Sequence, residues 1–296
     1  MGALLYVDDL ALLAPTRAML ARMLSVVEEY GRTHNLKFST DENPSLSKSK
    51  CIFFAAKPGS RQSPPPPLKL YGRDLPWVDS ALHLGHTLNK SLSMEQDTKI
   101  RRARFISRSV EVREQFAFAH PGQVLRAVQI YCSDAYGSPL WRLDSPAVTS
   151  YFKAWSSCVR RVYYLPVNTY TYLVEGHLAK DFTPLRNMVL ARYPAFYRRL
   201  HTSSSKEVKM MAELASGNAQ TVTSVNLAHL QHLTMLDPAL DSIRDIKLAL
   251  PVKSVPEKEE WRLGLLDKLL ELRGEKRAAG EDLKQVTAMI SSLCST

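Results

Sequence analysis

Two short apolar runs, residues 3–7 and 10–14, open the chain on either side of Asp8-Asp9. Apolar runs of that length interrupted by charges predict a buried β-hairpin with the acids at its tip. Pro15 and Thr16 then predict a helix start, because Leu20, Met23, Leu24, Val27 and Tyr30 recur at helical spacing and Gly31 stands near the end of the series. One face of that helix should pack on the hairpin. Residues 36–39 and 51–55 predict two further strands, joined by a polar loop around Pro44. The four prolines 64–67 have no amide hydrogens to donate and predict an extended polyproline excursion at the surface. Residues 68–71, 75–78 and 82–88 predict small strands.

From Ser93 the pattern turns helical. Ser93 with Gln96 fits a capping box, Ile100, Ala103, Ile106 and Val110 make an apolar stripe, and Arg101, Arg104 and Arg108 occupy another face. Beyond this helix the chain reads as mostly α, broken near Pro121-Gly122, Pro139, Pro166, Pro184, the serines 203–205, Pro238, and Pro251 to Pro256. Residues 261–272 and 283–293 predict a charged helical hairpin, and no internal repeat is visible. The whole pattern predicts an α+β protein, with a small antiparallel sheet and helix first and helices afterwards.

Composition narrows the partners more than the fold. The 296 residues are 45% hydrophobic, enough to bury a proper core. Lys and Arg number 39 against 29 Asp and Glu, a net charge of +10, which favours a polyanion such as nucleic acid or anionic lipid without choosing between them. Cys51, Cys132, Cys158 and Cys294 are widely spaced, so neither a disulfide framework nor a zinc ribbon is predicted. Reduced thiols in an intracellular protein are expected, with Cys132 and Cys158 as packing residues. No apolar run approaches the roughly 18 residues of a membrane span, and residues 1–15 lack the pattern of a signal peptide. Met1-Gly2 would begin a myristoylation signal, but Tyr6 stands where that signal needs Ser or Thr. Arg61, Pro64 and Pro67 spell an SH3-ligand pattern that reads better as exposed loop, and His229 with His232 lacks further ligands for zinc.

The paired acids carry the chemistry. Adjacent carboxylates on a tight turn repel and raise each other's pKa, and a divalent cation removes that cost. Hard oxygen ligands suit Mg²⁺, with Mn²⁺ the alternative; in a two-metal site the ions, roughly 3.5–4 Å apart, steady the attacking and leaving oxygens of phosphoryl transfer. The plainer reading is a solvated turn, where Asp is common.

Tyr6-Val7-Asp8-Asp9 resembles the Y-x-D-D hairpin of reverse transcriptases, and residues 2–15 look like the version in non-LTR (LINE-type) retrotransposons. The order of the downstream segments strengthens the resemblance: a helix, then His34-Asn35-Leu36-Lys37-Phe38-Ser39-Thr40-Asp41, then Ser47-Lys48-Ser49-Lys50-Cys51-Ile52-Phe53-Phe54. Leu82-His83-Leu84-Gly85-His86-Thr87-Leu88 is similar to the family's Y-L-G hairpin, the primer grip, with His83 departing from the usual aromatic. The Ser93 helix falls where the thumb should be, and residues 158–166 with 192–199 resemble the segment after the thumb. The likeness covers about residues 2–200.

The resemblance implies an RNA-directed DNA polymerase that extends a primer 3′ hydroxyl. It implies Asp8 and Asp9 as Mg²⁺ ligands and catalytic residues, Lys48 as the acid for pyrophosphate with Lys50 the alternate, and Tyr6, Leu84 and Gly85 against the primer. An RNA template, a DNA primer, deoxynucleoside triphosphates in the complete enzyme, and action in the nucleus are implied with it, with no membrane. It also implies a partial palm over residues 1–90, a thumb-like helical region over 91–150, a basic aromatic region over 151–210 and a helical C-terminal region over 211–296. Five residues precede Tyr6, and Asp41, Asp74 and Asp79 lie in the wrong context for the family's third metal-binding aspartate, so a fragment inactive by itself is expected. From Tyr151 to Met210, ten Lys and Arg face three acids among eleven aromatic residues. With Arg101, Arg104 and Arg108, the arginines Arg160, Arg161, Arg192, Arg198 and Arg199 are the expected nucleic-acid contacts, and about a third of the aromatics should be exposed for stacking. The alternative is a nucleic-acid-binding remnant without chemistry.

Overall fold

A computed structural model describes residues 2–41, 43, 46–55, 64–167, 169, 185–234 and 260–294. The chain divides into two compact units, Met1–Asp97 and Thr98–Thr296.

In the first unit, β1 (Gly2–Tyr6) and β2 (Asp9–Leu13) pair antiparallel with Tyr6 opposite Asp9. Helix α1 (Arg17–Thr33) comes next, its first turn capped by the Thr16 hydroxyl, which accepts the Met19 N–H at 3.3 Å. Then come β3 (Leu68–Leu70), β4 (Arg73–Leu75), β5 (Ser80–His83) and β6 (His86–Asn89). The α+β class is as expected, but the strands form three separate two-stranded hairpins in place of one small sheet. Two of the hairpins are closed by tight turns. Tyr71-Gly72 and Leu84-Gly85 both have positive φ at both residues, the left-handed pattern that folds a strand straight back on itself. Residues 82–88 accordingly lie in a hairpin, the form that the likeness to the Y-L-G segment implies.

The core of this unit is Leu24 from α1 with Cys51, Leu68, Leu70 and Leu75, covered by Leu12, Leu20, Phe38, Tyr71 and Trp77. Burial pushes the Cys51 thiol up to about 11. Helix α1 lies on the β3–β4 hairpin, where Glu28 accepts the Tyr71 N–H. The Arg17 guanidinium donates to the carbonyls of Pro66 and Pro67, both at 2.9 Å, which ties the end of the proline run to the start of α1. Residues 36–39 and 51–55 are not strands. Of them only Cys51 pairs, its N–H donating to Pro76 O at 2.9 Å and its carbonyl accepting Val78 N–H at 2.8 Å, because the opposing segment matches it for a single residue.

The second unit is helical. Helix α2 (Glu95–Gln115), which begins in the first unit, is succeeded by α3 (Pro121–Cys132), a 3₁₀ turn at Ser138–Leu140 and α4 (Pro146–Val162). Then come α5 (Leu185–His201), α6 (Lys206–Gly217), α7 (Val222–Thr234), α8 (Glu260–Ala278) and α9 (Lys284–Cys294). Phe105, Trp141, Tyr151 and Trp155 are fully buried, with ring centroids 5.2–6.2 Å apart across Trp141–Tyr151, Phe105–Tyr151 and Phe105–Trp155. Asn226 latches α7 to the loop before α4. Its amide donates to Trp141 O at 2.8 Å and its carbonyl accepts Leu143 N–H at 2.9 Å, so this buried amide is satisfied at both ends. Helices α8 and α9 form the expected hairpin, burying Leu269, Val286 and Ile290, with Gly280 at φ +71° in the turn between them.

The buried face of α2 differs from the expected one. Thr98, Arg101, Phe105 and Ser109 face inward, while Ala103 is exposed and Ile100, Ile106 and Val110 are half-buried. The Arg101–Asp134 ion pair and the buried Phe105 ring lie on this face and fix the rotation of the helix together. Ser93 caps it one residue earlier than a box with Gln96 requires, its hydroxyl accepting Glu95 N–H at 3.3 Å. Among the described residues no helix is long and apolar enough to cross a membrane.

Gly31 marks a close backbone approach in the first unit. A Cβ there would stand 2.6 Å from the Tyr71 hydroxyl and 2.8 Å from Leu36 O. Gly31→Ala should destabilise the unit by about 1–3 kcal/mol, seen as faster hydrogen exchange of α1 and β3–β4 amides with the second unit's amides unchanged.

Candidate functional site

The expected catalytic residues sit at the hairpin tip. Tyr6 ends β1, Val7 and Asp8 form a two-residue turn, and Asp9 begins β2. Val7 has φ +54°, although a positive φ at the first turn position favours glycine and a β-branched residue there is strained. Packing does not compensate, since Val7 is 84% exposed. Asp8 and Asp9 are exposed as well.

The hairpin itself departs from the expectation of burial. Leu4 and Leu5 are 61% and 73% exposed, and attachment to the core runs through Leu12 on β2. Lys48 and Lys50 are both exposed in the stretch leading to Cys51, and neither has an ion-pair partner among the described residues. No group of three or more His, Cys, Asp or Glu side chains gathers in metal-binding geometry among the described residues. Asp8 and Asp9 have the oxygen chemistry Mg²⁺ prefers, but the pair by itself falls short of such a group.

Leu84 and Gly85 form the β5–β6 turn, at φ +46° and +76°. Asp97, to which the sequence pattern assigns no role, holds this hairpin. Its buried carboxylate accepts Thr87 N–H at 3.0 Å and lies 3.8 Å from His86 Nδ1. The available signal was an acid in the first turn of α2, where it also complements the helix dipole.

The eight expected nucleic-acid contacts divide by environment. Arg104, Arg108, Arg161, Arg192 and Arg199 are exposed. Arg101 is buried and ion-paired to Asp134, which corrects its expected role: this guanidinium holds the helices together and is not offered to phosphate. Arg192 is exposed, and its guanidinium donates to Ala135 O at 2.6 Å. Arg160 is half-buried and donates to Thr169 O at 3.4 Å, and Arg198 is half-buried.

The aromatic side chains of the same region are mostly core. Tyr151, Trp155, Tyr163, Tyr193 and Tyr197 are buried, Phe152 and Phe196 are half-buried, and Tyr164 alone of the described ones is exposed. Burial pushes the Tyr193 hydroxyl up to about 12 and raises that of Tyr151 further. Tyr170, Tyr172 and Phe182 lie outside the described residues.

Comparison with protein-family models, with curated proteins and with solved structures finds no match to this chain.

Two substitutions test the local physics. Val7→Gly should stabilise the β1–β2 hairpin by about 0.5–1 kcal/mol, as relief of left-handed strain outweighs glycine's added entropy; slower exchange of its amides is the readout. Asp134→Ala should cost about 3 kcal/mol in urea denaturation by removing the carboxylate partner of a buried guanidinium, whereas Arg104→Ala and Arg108→Ala should each change stability by less than about 0.5 kcal/mol.

Proposed function

We propose that this chain carries the acidic catalytic turn and the adjoining thumb-side region of a non-LTR (LINE-type) reverse transcriptase, and that it takes part in extending a DNA primer on an RNA template. One observation carries the reading: Tyr6-Val7-Asp8-Asp9 is the tip of a tight β-hairpin with a strained residue at its turn, and the apolar strand β1 lies largely uncovered. Strain kept at an exposed tip is a mark of function rather than of packing. An uncovered apolar strand is what a hairpin offers to further strands beside it.

In this reading Asp8 and Asp9 donate carboxylate oxygens to Mg²⁺ or Mn²⁺, with a third carboxylate supplied by another segment. An ion held there would supply neutralisation of charge on the primer 3′ oxygen and the departing pyrophosphate. Tyr6 supports the turn beside the primer end. Lys48 gives a proton to the leaving pyrophosphate. The Leu84-Gly85 turn, held by Asp97, presents a bare backbone to the primer strand, and Arg104, Arg108 and Arg199 attract phosphates. Deoxynucleoside triphosphates are the co-substrates of the complete enzyme, and the nucleus is the place of action.

A second reading, nucleic-acid binding without chemistry, draws on the exposed arginines. Complementation separates the two. With a polypeptide supplying fingers and a strand bearing one aspartate, the chain should extend a primer in the presence of magnesium. Asp8→Asn should lower the rate by about 10³-fold or more while leaving the melting temperature unchanged. RNA affinity that falls steeply with salt, with no extension in the complemented form, would leave the binding reading alone.

A further inference from the structure

The second unit contains a pocket of about 250 Å³ lined by the end of α2, the start of α3, the end of α4 and Arg277 of α8. Three arginines line it, Arg113, Arg161 and Arg277, against a single acid, Glu114. None of the three arginines has a carboxylate partner among the described residues. Most of the remaining lining is apolar, chiefly Val110, Phe116, Val124 and Val162.

Tyr164, also in the lining, ends α4 in a position that glycine normally takes. Its N–H donates to Arg161 O at 3.3 Å and Leu165 N–H donates to Arg160 O at 2.8 Å, the paired bonds of a Schellman cap, with Tyr164 at φ +55°. A tyrosine held in the left-handed region is strained, so its ring should have a use. The ring braces two cations. The Arg277 guanidinium lies 4.5 Å and that of Arg273 4.7 Å from its centroid, and Arg273 Nη1 donates to Tyr164 O at 2.8 Å. Arg277 is thereby positioned before any ligand arrives.

The geometry points to a binding site for a nucleoside 5′-phosphate. Clustered guanidiniums recognise a phosphate's oxygens in a planar, two-pronged way, and the excess of two positive charges in the lining matches a phosphomonoester. The apolar surface suits the face of a base. Phosphate alone would leave that surface uncovered, and a nucleoside alone would leave the cations unmatched. The space lies just below the roughly 300–1,000 Å³ of drug-sized sites, so it admits one nucleotide and excludes a duplex. The occupant is either a free nucleotide or the 5′ end of a strand. This site uses none of the residues of the acidic turn.

Calorimetric titration of the full chain tests it with AMP, adenosine, inorganic phosphate and a single-stranded oligonucleotide with and without a 5′ phosphate. AMP or the phosphorylated strand should bind at least tenfold tighter than adenosine, phosphate and the unphosphorylated strand. Arg161→Gln, at an exposed position, should weaken that binding at least tenfold with an unchanged circular dichroism spectrum. Tighter binding of the phosphorylated strand than of AMP identifies a strand end, and the reverse identifies a free nucleotide; either sustains the site. Binding of AMP and the phosphorylated strand no tighter than their controls, or undiminished in Arg161→Gln, overturns it. The readout is binding without primer extension, so its failure is distinct from failure of the polymerase reading.

Discussion

The helical unit depends on one buried cation. Arg101 enters from α2, meets Asp134 just past the end of α3, and lies near the hydroxyl of Tyr151 from α4, with Arg192 of α5 close by. A guanidinium withdrawn from water is tolerated only if its partner is fixed in place, so the ion pair sets how α2 can rotate and how far it can slide. Phe105 then falls against Tyr151 and Trp155, and the aromatic core closes around the pair. Four elements are thus oriented by a single polar requirement, with apolar area supplying the bulk of the favourable free energy.

The first unit obeys a different logic. Its core is small, and each hairpin is closed by its own turn and not by neighbouring strands. Such hairpins are marginal unless something packs on them. Helix α1 does this for β3–β4, and Asp97 does it for β5–β6 through the backbone of Thr87. The acidic hairpin has the least support, because only β2 reaches the core through Leu12.

Much of this was legible from residue order. The acidic turn, α1 with its Thr16 cap, the Leu84-Gly85 turn and the C-terminal helical hairpin all announce themselves locally, through apolar spacing and through residues that tolerate special backbone angles. The face of α2 did not. Arg101 reads as a solvent-facing charge, and the Asp134 that makes its burial tolerable lies 33 positions away. Residues 36–39 and 51–55 have strand-like composition but lack a partner of matching length, which no local pattern reveals. For the site, the residue types at the tip were readable, whereas the exposure of β1 and the union of Arg161 with Arg113 and Arg277 depend on tertiary packing.

The uncovered strand β1 also bears on the fate of the polypeptide in a cell. Outward-facing leucines beside a strand edge that pairs with no other strand among the described residues are what holdase chaperones grip and what seeds intermolecular sheet growth. A complementary strand laid along that edge would remove both liabilities at once.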